Sequence, residues 1–510
     1  MQKGGVPMKE KNSNIEPADL QQLIKPERRV YFIGIGGISM GGLAELSFHA
    51  GMTVGGSDPH QPNRIERLRY LGVHIDSEQS PEAIRSFDPD LTVYSSAVPA
   101  DNPQRLWSQN NNVPTVERSL FLGALTRGYR RVINVAGTNG KTTTTAMLAL
   151  MLMEARQDPT VHLGAELAQF EQSTVHIGHQ QDLLVSEACE YRDSFLDFFS
   201  TTGIILNIDI DHTDYFSGID EIIDSFARFG ANVPEDGHLV VPADDDYIDD
   251  CLARMKKLRA EEDSGSINIH TFGIRDDVVI SGSGKALPKD PDSSYPDFFA
   301  VNLEWKNGLP RFDTYYRGSY YARIEMALPG RHNVLDALAA LLAAELNGGG
   351  ANTSARVLSR FTGAEGRFSM KGTYRGAKVI ADYAHNPSKT AATLEAARTM
   401  PHENIVVVYQ PLTFSRVKMM WDEYLEALDG RHHIIFIEIY SDREKDDLGM
   451  SSRMLADAIN NGGGSAEFAP DFEHVAAALN RVVKPGDLIL FLGPDEVRSY
   501  ASRLVSRSDN

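Results

Sequence analysis

Cysteine is nearly absent: Cys189 and Cys251 are the only two in 510 residues. Two thiols exclude a disulfide framework and a cysteine-only zinc site, and they fit a reduced cytoplasm. Basic charge is scarce too. The 50 Lys and Arg stand against 70 Asp and Glu, a net charge of −20, which disfavours nucleic acid as a partner. An anionic small molecule would have to be met by local basic groups and helix N-termini. No apolar run reaches the ~18 residues needed to span a bilayer, so no membrane insertion is expected. Residues 1–28 are polar and lack a signal-peptide apolar region. Met8 is a candidate start, with Met1–Pro7 an extension. No repeat at solenoid periods is visible.

What is present is alternation. Short β-rich apolar runs alternate with helical patterns nearly throughout, which is the α/β signature. At roughly 150 residues per domain the length suggests about three domains. The first block holds the strand "RVYFIGIGG", the helix "ISMGGLAELSFHAG" and the strands "MTVGGSD" and "DLTVYSSAV". The second begins at "RRVINVAGTNGKT" and contains the strands "DLLVSEACEY" and "GIILNIDIDH". Its acidic run "PADDDYIDDC" and the stretch "ALPKDPDSSYPD" read as solvated connections. The third block has four strand candidates, "KVIADYAH", "NIVVVYQP", "HIIFIEIY" and "DLILFLGP". In all three blocks polar residues follow strand ends, where open parallel sheets place their ligands.

"NVAGTNGKTTTTAML" carries the strongest chemistry. It runs strand, glycine-rich turn, helix, as a phosphate-binding loop does. Val135 stands where the usual pattern has its first glycine. Gly137 and Gly140 let the backbone turn tightly, so that several loop N–H groups can face phosphate oxygens. Lys141 offers a point charge to the β- and γ-phosphates, and the Thr142 hydroxyl can reach Mg2+. Magnesium prefers oxygen ligands. Glu187 and Glu190 follow one buried strand, and Asp209, Asp211 and His212 end the next. One carboxylate with Thr142 and phosphates suffices for one ion, and the His212 imidazole can serve a second.

"GIGGISMGG" resembles the dinucleotide fingerprint, with Gly34 and Gly36 in place and Ser39 at the third glycine position. Asp58 follows at about the distance of a ribose-binding acid, roughly 20 residues on. The loop chemistry asks only for a diphosphate, which a nucleotide sugar satisfies as well as NAD. Arg331 and His332 at a helix start, Arg367 in "GAEGRFSMKG" and Arg416 after "NIVVVYQP" are candidate holders of anionic substrates.

Together these stretches resemble the Mur ligase family of ATP-dependent amide-forming ligases. "FIGIGGISMGGLAEL", "GSD", "YSSAV", "GTNGKTTTTAM", "EACEYRDSFL", "LNIDIDHTDYF", "LPGRHNVLDALAA", "GRFSMKG", "DYAHNPSKTAATLEA" and "QPLTFSR" occur in the family's order, from Arg29 to Val497. The family's loop is GTxGKT[ST], which accounts for the missing first glycine. The resemblance implies an α/β fold in three domains. These are a Rossmann-like UDP-sugar-binding domain over 29–126, a central P-loop ATPase domain with a mostly parallel sheet over 127–362, and a Rossmann-like C-terminal domain over 363–510 that binds the incoming amino acid. It implies ATP and Mg2+, and UDP-N-acetylmuramate as the acid, whose acyl phosphate is attacked by an amino acid, L-alanine in the branch most similar. A cytoplasmic monomer or homodimer is implied as well. Carried over by position, Lys141, His212, Arg367 and His385 take catalytic roles. Gly137 to Thr143 with Arg331, His332 and Asn333 take ATP. Gly34, Gly36, Gly37, Asp58, Ser95, Arg192 and Arg416 take substrate, and Thr142, Glu187 and His212 take metal.

Three positions depart from the alanine branch. Asn139 and Asn386 stand where that branch usually has His, and Leu412 replaces a further His. They leave open a ligase that attaches another amino acid or a recycled peptide, or a non-catalytic UDP-sugar-binding paralogue. Sister branches commonly carry a carbamylated lysine at the metal site, but no lysine lies between Lys141 and Lys256.

Overall fold

A computed structural model describes residues 17–60, 64–212, 215–281, 284–289, 295–430, 432–441, 444 and 446–508. The candidate extension Met1–Pro7, Thr213 and Asp214 of the His212 motif, and residues 290–294 of the "ALPKDPDSSYPD" stretch lie outside them. The chain forms two compact units, residues 1–134 with 158–201 and residues 135–157 with 202–510.

The first unit starts from a five-stranded parallel sheet. Its order is His74–Asp76, Thr53–Ser57, Arg29–Ile33, Leu91–Tyr94, Thr115–Glu117. The order reverses beside the first strand, which places its carboxyl end and the loop 34–37 at a topological switch point. Strand Leu91–Tyr94 is buried at every position, as expected of a parallel strand covered on both faces. In the same unit strand Thr160–Leu167 pairs in parallel with Leu183–Glu187 and antiparallel with Ser173–His176.

In the second unit, Thr202–Ile205, His238–Pro242, Asn268–Ile274 and Phe298–Lys306 are parallel neighbours. Leu309–Tyr316 and Ser319–Glu325 extend them antiparallel. The third block forms a six-stranded sheet in the order Ser369–Tyr374, Ala377–Asp382, Leu488–Leu492, Ile405–Tyr409, His432–Phe436, Ser465–Phe468. Only the first pair is antiparallel. The four strands expected there form, and two edge strands join them. Ser369–Tyr374 and Ser465–Phe468 were hard to read because edge strands are only half buried and carry polar residues.

Two expected connections have structure instead. The acidic run leads into helix Ile248–Glu262, whose Ile248 and Cys251 are buried. Within it Asp245 accepts the amides of Ile208 and Tyr247 at 3.0 Å each, and burial pushes its carboxyl above the usual range. Ala286–Pro288 of the other stretch pairs with Val278–Ile280 as a small antiparallel ribbon. Among the described residues no helix is long and apolar enough to cross a membrane.

Candidate active site

Strand Arg131–Ala136 runs into the phosphate loop and helix Lys141–Glu154 leaves it. Gly140 stands at the helix N-terminus at φ 86°, ψ −14°, a left-handed conformation that suits glycine, and no side chain caps the first turn. The first-turn amides are thus left for an anion. A Cβ on Gly137 would lie 2.9 Å from Leu206 Cβ and 3.1 Å from Leu206 N. The missing side chain lets the loop close onto segment 206–209, which straps it. Thr138 N–H donates to Asn207 O at 3.2 Å. Asn139 N–H donates to Asn207 Oδ1 at 2.8 Å, and Asn207 Nδ2 returns a bond to Asn139 O at 3.1 Å. Thr138 Oγ1 accepts from Asp209 N–H at 3.0 Å. Lys141 Nζ bends back over the loop to Gly137 O at 2.5 Å and Thr138 O at 3.3 Å. Thr142 and Thr143 are buried.

Beneath the loop lies a residue that motif reading passed over. Asp336, on helix Arg331–Leu346, is 5% exposed, and its carboxyl fills the space where a Gly140 side chain would go. Burial pushes its pKa up to about 7. A signal was available: "RHNVLDALAALL" keeps a carboxylate in a helix apolar all round, one turn after Asn333. Asn333 is buried and donates to Pro329 O at 2.6 Å, which fixes the turn before the helix. Burial pushes the His332 imidazole down to about 4, so it is neutral near pH 7. Its Nδ1 is buried without a hydrogen-bond partner among the described residues, an open position of the kind a ligand fills. Arg331 is exposed.

The third block meets the loop within the same unit. Arg367 leaves a tight turn in which Arg367 N–H donates to Ala364 O at 3.0 Å and Ser369 Oγ accepts from Gly366 N–H at 2.8 Å. Its Nη2 donates to Thr142 Oγ1 at 3.3 Å. Asn139 Nδ2 donates to Ser388 Oγ at 3.3 Å. Asp211 is 4% exposed and takes Arg416 Nη2 at 2.7 Å, Asn386 Nδ2 at 3.1 Å and Lys389 Nζ at 3.4 Å. Burial alone would raise this carboxyl, but Lys389, His212 and Arg416 hold it well below the usual range. Arg416, expected to bind substrate, therefore stands in a buried ion pair. His385 is buried, and burial with Lys389 and Arg416 nearby holds its imidazole well below its usual value. Its Nδ1 lies 2.9 Å from Tyr383 O. A carbonyl only accepts, so Nδ1 carries the proton and Nε2 of the neutral ring is the acceptor. His212 takes a left-handed φ of 53°, and its N–H donates to Asp211 Oδ1 at 2.7 Å.

The first unit holds the other expected residues. Gly34 has φ 83°, and Gly36 N–H donates to Asp58 Oδ2 at 2.8 Å. A Cβ on Gly36 would lie 2.7 Å from that oxygen. Asp58 thus anchors the loop, and Gly37 starts helix Ile38–His49 with no side-chain cap. Ser39 accepts from Arg118 Nη1 at 3.0 Å and lies 3.2 Å from His162 Nε2. Neither Arg118 nor His162 belongs to a short motif, and neither was singled out. Ser95 Oγ accepts from Ala97 N–H at 3.3 Å, and the Arg192 guanidinium lies 5.4 Å from the Tyr191 ring. Glu187 ends its strand with Oε1 accepting from Gly164 N–H at 2.5 Å. A Gly164 side chain would meet that carboxylate.

Residues 29–130 match the model of the Mur ligase family, catalytic domain, residues 135–344 the Mur ligase middle domain, and residues 366–494 the Mur ligase, glutamate ligase domain. The chain is 37% identical over 470 residues to a UDP-N-acetylmuramate–L-alanine ligase of Acetivibrio thermocellus, covering 92% of this chain and 94% of that one. It is 34% identical over 481 residues to an enzyme of the same name from Caldanaerobacter subterraneus subsp. tengcongensis, covering 94% and 98%. The crystal structure of a UDP-N-acetylmuramate–alanine ligase from Thermotoga maritima superposes with a TM-score of 0.74 at 26% identity, over 94% of this chain and 99% of that chain. A murein peptide ligase from Psychrobacter arcticus shares the fold, with a TM-score of 0.68 at 23% identity over 95% and 99%. With a nucleotide loop strapped and faced by arginine, and with relatives this similar along nearly all its length, the chain belongs to the Mur ligase family of ATP-dependent amide-forming ligases.

Proposed function

We propose that the chain joins UDP-N-acetylmuramate to L-alanine in the cytoplasm, for peptidoglycan precursor synthesis, with ATP as the activating substrate. The observation that carries this reading is the near-full-length similarity to ligases of that name, in a chain that keeps Lys141, Thr142, Glu187, His212 and Arg367. The domain limits 29–126, 127–362 and 363–510 belong to the same reading, and the order of the three family segments supports them.

The residues divide the work as their chemistry allows. The uncapped first-turn amides of helix Lys141–Glu154 and the Lys141 ammonium hold the ATP phosphates and take up charge as the γ-phosphoryl moves to the muramate carboxylate, while the Thr138 and Asn139 amides are already bonded to Asn207. The unpartnered His332 Nδ1 suits a polar edge of the nucleotide. Hydroxyl and carboxylate donors suit Mg2+. Thr142, and by their motifs Glu187 and His212, are the residues that would hold it, and the ion would neutralise phosphate charge. Arg367, already at the Thr142 hydroxyl, stabilises the phosphoryl and the acyl phosphate made from it. His385 Nε2, the acceptor of a neutral imidazole, holds an N–H of the incoming amine as it attacks. The tetrahedral adduct then gives up one amine proton to the departing phosphate and collapses to amide and phosphate. Gly34, Gly36, Gly37, Asp58, Ser95 and Arg192 serve the UDP-sugar. Arg416, fixed by Asp211, shapes the amino-acid side.

Phosphate release from ATP and UDP-N-acetylmuramate, with the amino acid varied, tests the reading. L-alanine is expected to support turnover best. Preference for another amino acid or a tripeptide would reassign the acceptor, and no release with any of them would remove the ligase reading.

A further inference from the structure

Arg498 has no place in any motif, yet it lies against the turn that presents Arg367. It sits on helix Asp495–Ser508 with its side chain 13% exposed. Its guanidinium occupies the space where a Gly366 side chain would be, so Gly366, at φ 70°, cannot carry one. The Tyr383 ring is shared: the guanidinium carbons of Arg367 and Arg498 each lie 5.1 Å from its centroid. Tyr383 N–H in turn donates to Gly366 O at 2.9 Å, which ties the ring to the same turn.

Hydrogen bonding does not explain why this arginine is buried there. One guanidinium nitrogen pairs with the exposed Asp495 carboxylate. Its Nε–H is buried with no acceptor among the described residues, which costs stability rather than adding to it. Burial and the neighbouring Arg367 charge both push the Arg498 pKa down. A flat group that fills the floor of the turn and stacks on Tyr383 does explain it.

The geometry points to Arg498 as a positioning residue: it props the 363–369 turn and, through Tyr383, aims the Arg367 guanidinium at the Thr142 hydroxyl of the phosphate loop. This rests on the catalytic reading of Arg367 given above. Loss of the prop lets Arg367 drift, and misplacement by about 1 Å of a group acting on the transferring phosphoryl costs on the order of 10²-fold in rate.

The test compares Arg498→Leu, Arg498→Lys, Arg367→Ala and the Arg498→Leu/Arg367→Ala double variant in the full chain. Turnover by Arg498→Leu is expected to fall about 10- to 100-fold, with the KM for ATP within about threefold of wild type. Lysine is not expected to restore it, because an ammonium neither fills the floor nor stacks as a plane. In the Arg367→Ala background Arg498→Leu should cost nothing more, since both act on one interaction. Additive losses, or full turnover of Arg498→Leu, would overturn the inference. If the leucine variant does not fold, Arg498→Lys carries the same comparison. A crystal structure of the Arg498 variant reads the inference without turnover. Arg367 is expected to have left Thr142 Oγ1, and an unmoved guanidinium counts against the inference. An inactive wild type would sink the ligase reading alone.

Discussion

Replacing Asp336 by Asn removes a buried carboxyl while keeping its shape, and the structure sets the sign and size of the effect. The group sits under Gly140 at 5% exposure, with its pKa raised from 3.8 to about 7 by burial. A raised acid pKa means that the folded state holds the proton more tightly than the unfolded chain. Between about pH 4 and 7 the folded state therefore binds more protons, and stability falls as pH rises through that window. About three pKa units at 1.36 kcal/mol each make roughly 4 kcal/mol lost by pH 8. Asp336→Asn never ionises. Its urea midpoint at pH 8.5 should exceed that of the wild type, and at pH 4 the two should meet. ATP binding gives a second readout. An ionised Asp336 beneath the loop repels phosphate, so wild-type affinity should fall above pH 7 while that of the Asn variant stays flatter. Parallel midpoint-against-pH curves for the two proteins would refute the reasoning and place the carboxyl in contact with solvent.

Lys141→Ala should lower turnover about 10²- to 10³-fold, as loss of one preorganised charge does, with UDP-sugar binding by calorimetry unchanged. Asp211→Asn leaves the Arg416 charge buried and unpaired; destabilisation of about 3–5 kcal/mol is expected in denaturant melts. Asp211 is held low by its cationic neighbours, so the stability it contributes is present above pH 4 and lost as pH falls below the ordinary carboxylate range. Glu187→Gln should raise the Mg2+ concentration needed for half-maximal rate, and direct Mn2+ titration should show the same weakening.

The fold was legible because the β and helical periods alternate so regularly. Strands such as Ile405–Tyr409 are apolar throughout and buried on both faces. Edge strands Ser369–Tyr374 and Ser465–Phe468 were less legible because half-buried strands look like loops. Glycine, lysine and threonine of the phosphate loop could be read from spacing, since their chemistry is local in the chain. Asn207 and Arg498 could not, because each acts on residues far away in sequence, and Asp336 showed only as a carboxylate in an apolar helix, with nothing to say that it lies under the loop. Asp336 lies under Gly140, Asn207 straps Asn139, and Arg498 floors Gly366. The pairing of Arg416 with Asp211 spans 205 positions, and only folding brings such charges together.

On the proposed route the muramate carboxylate receives a phosphoryl group before the amine attacks. UDP-N-acetylmuramate labelled with 18O in that carboxylate, incubated with ATP, L-alanine and the full chain, tests it directly. One 18O atom is expected in each phosphate released, with the amide product retaining the other. Release of unlabelled phosphate alongside amide formation would contradict it.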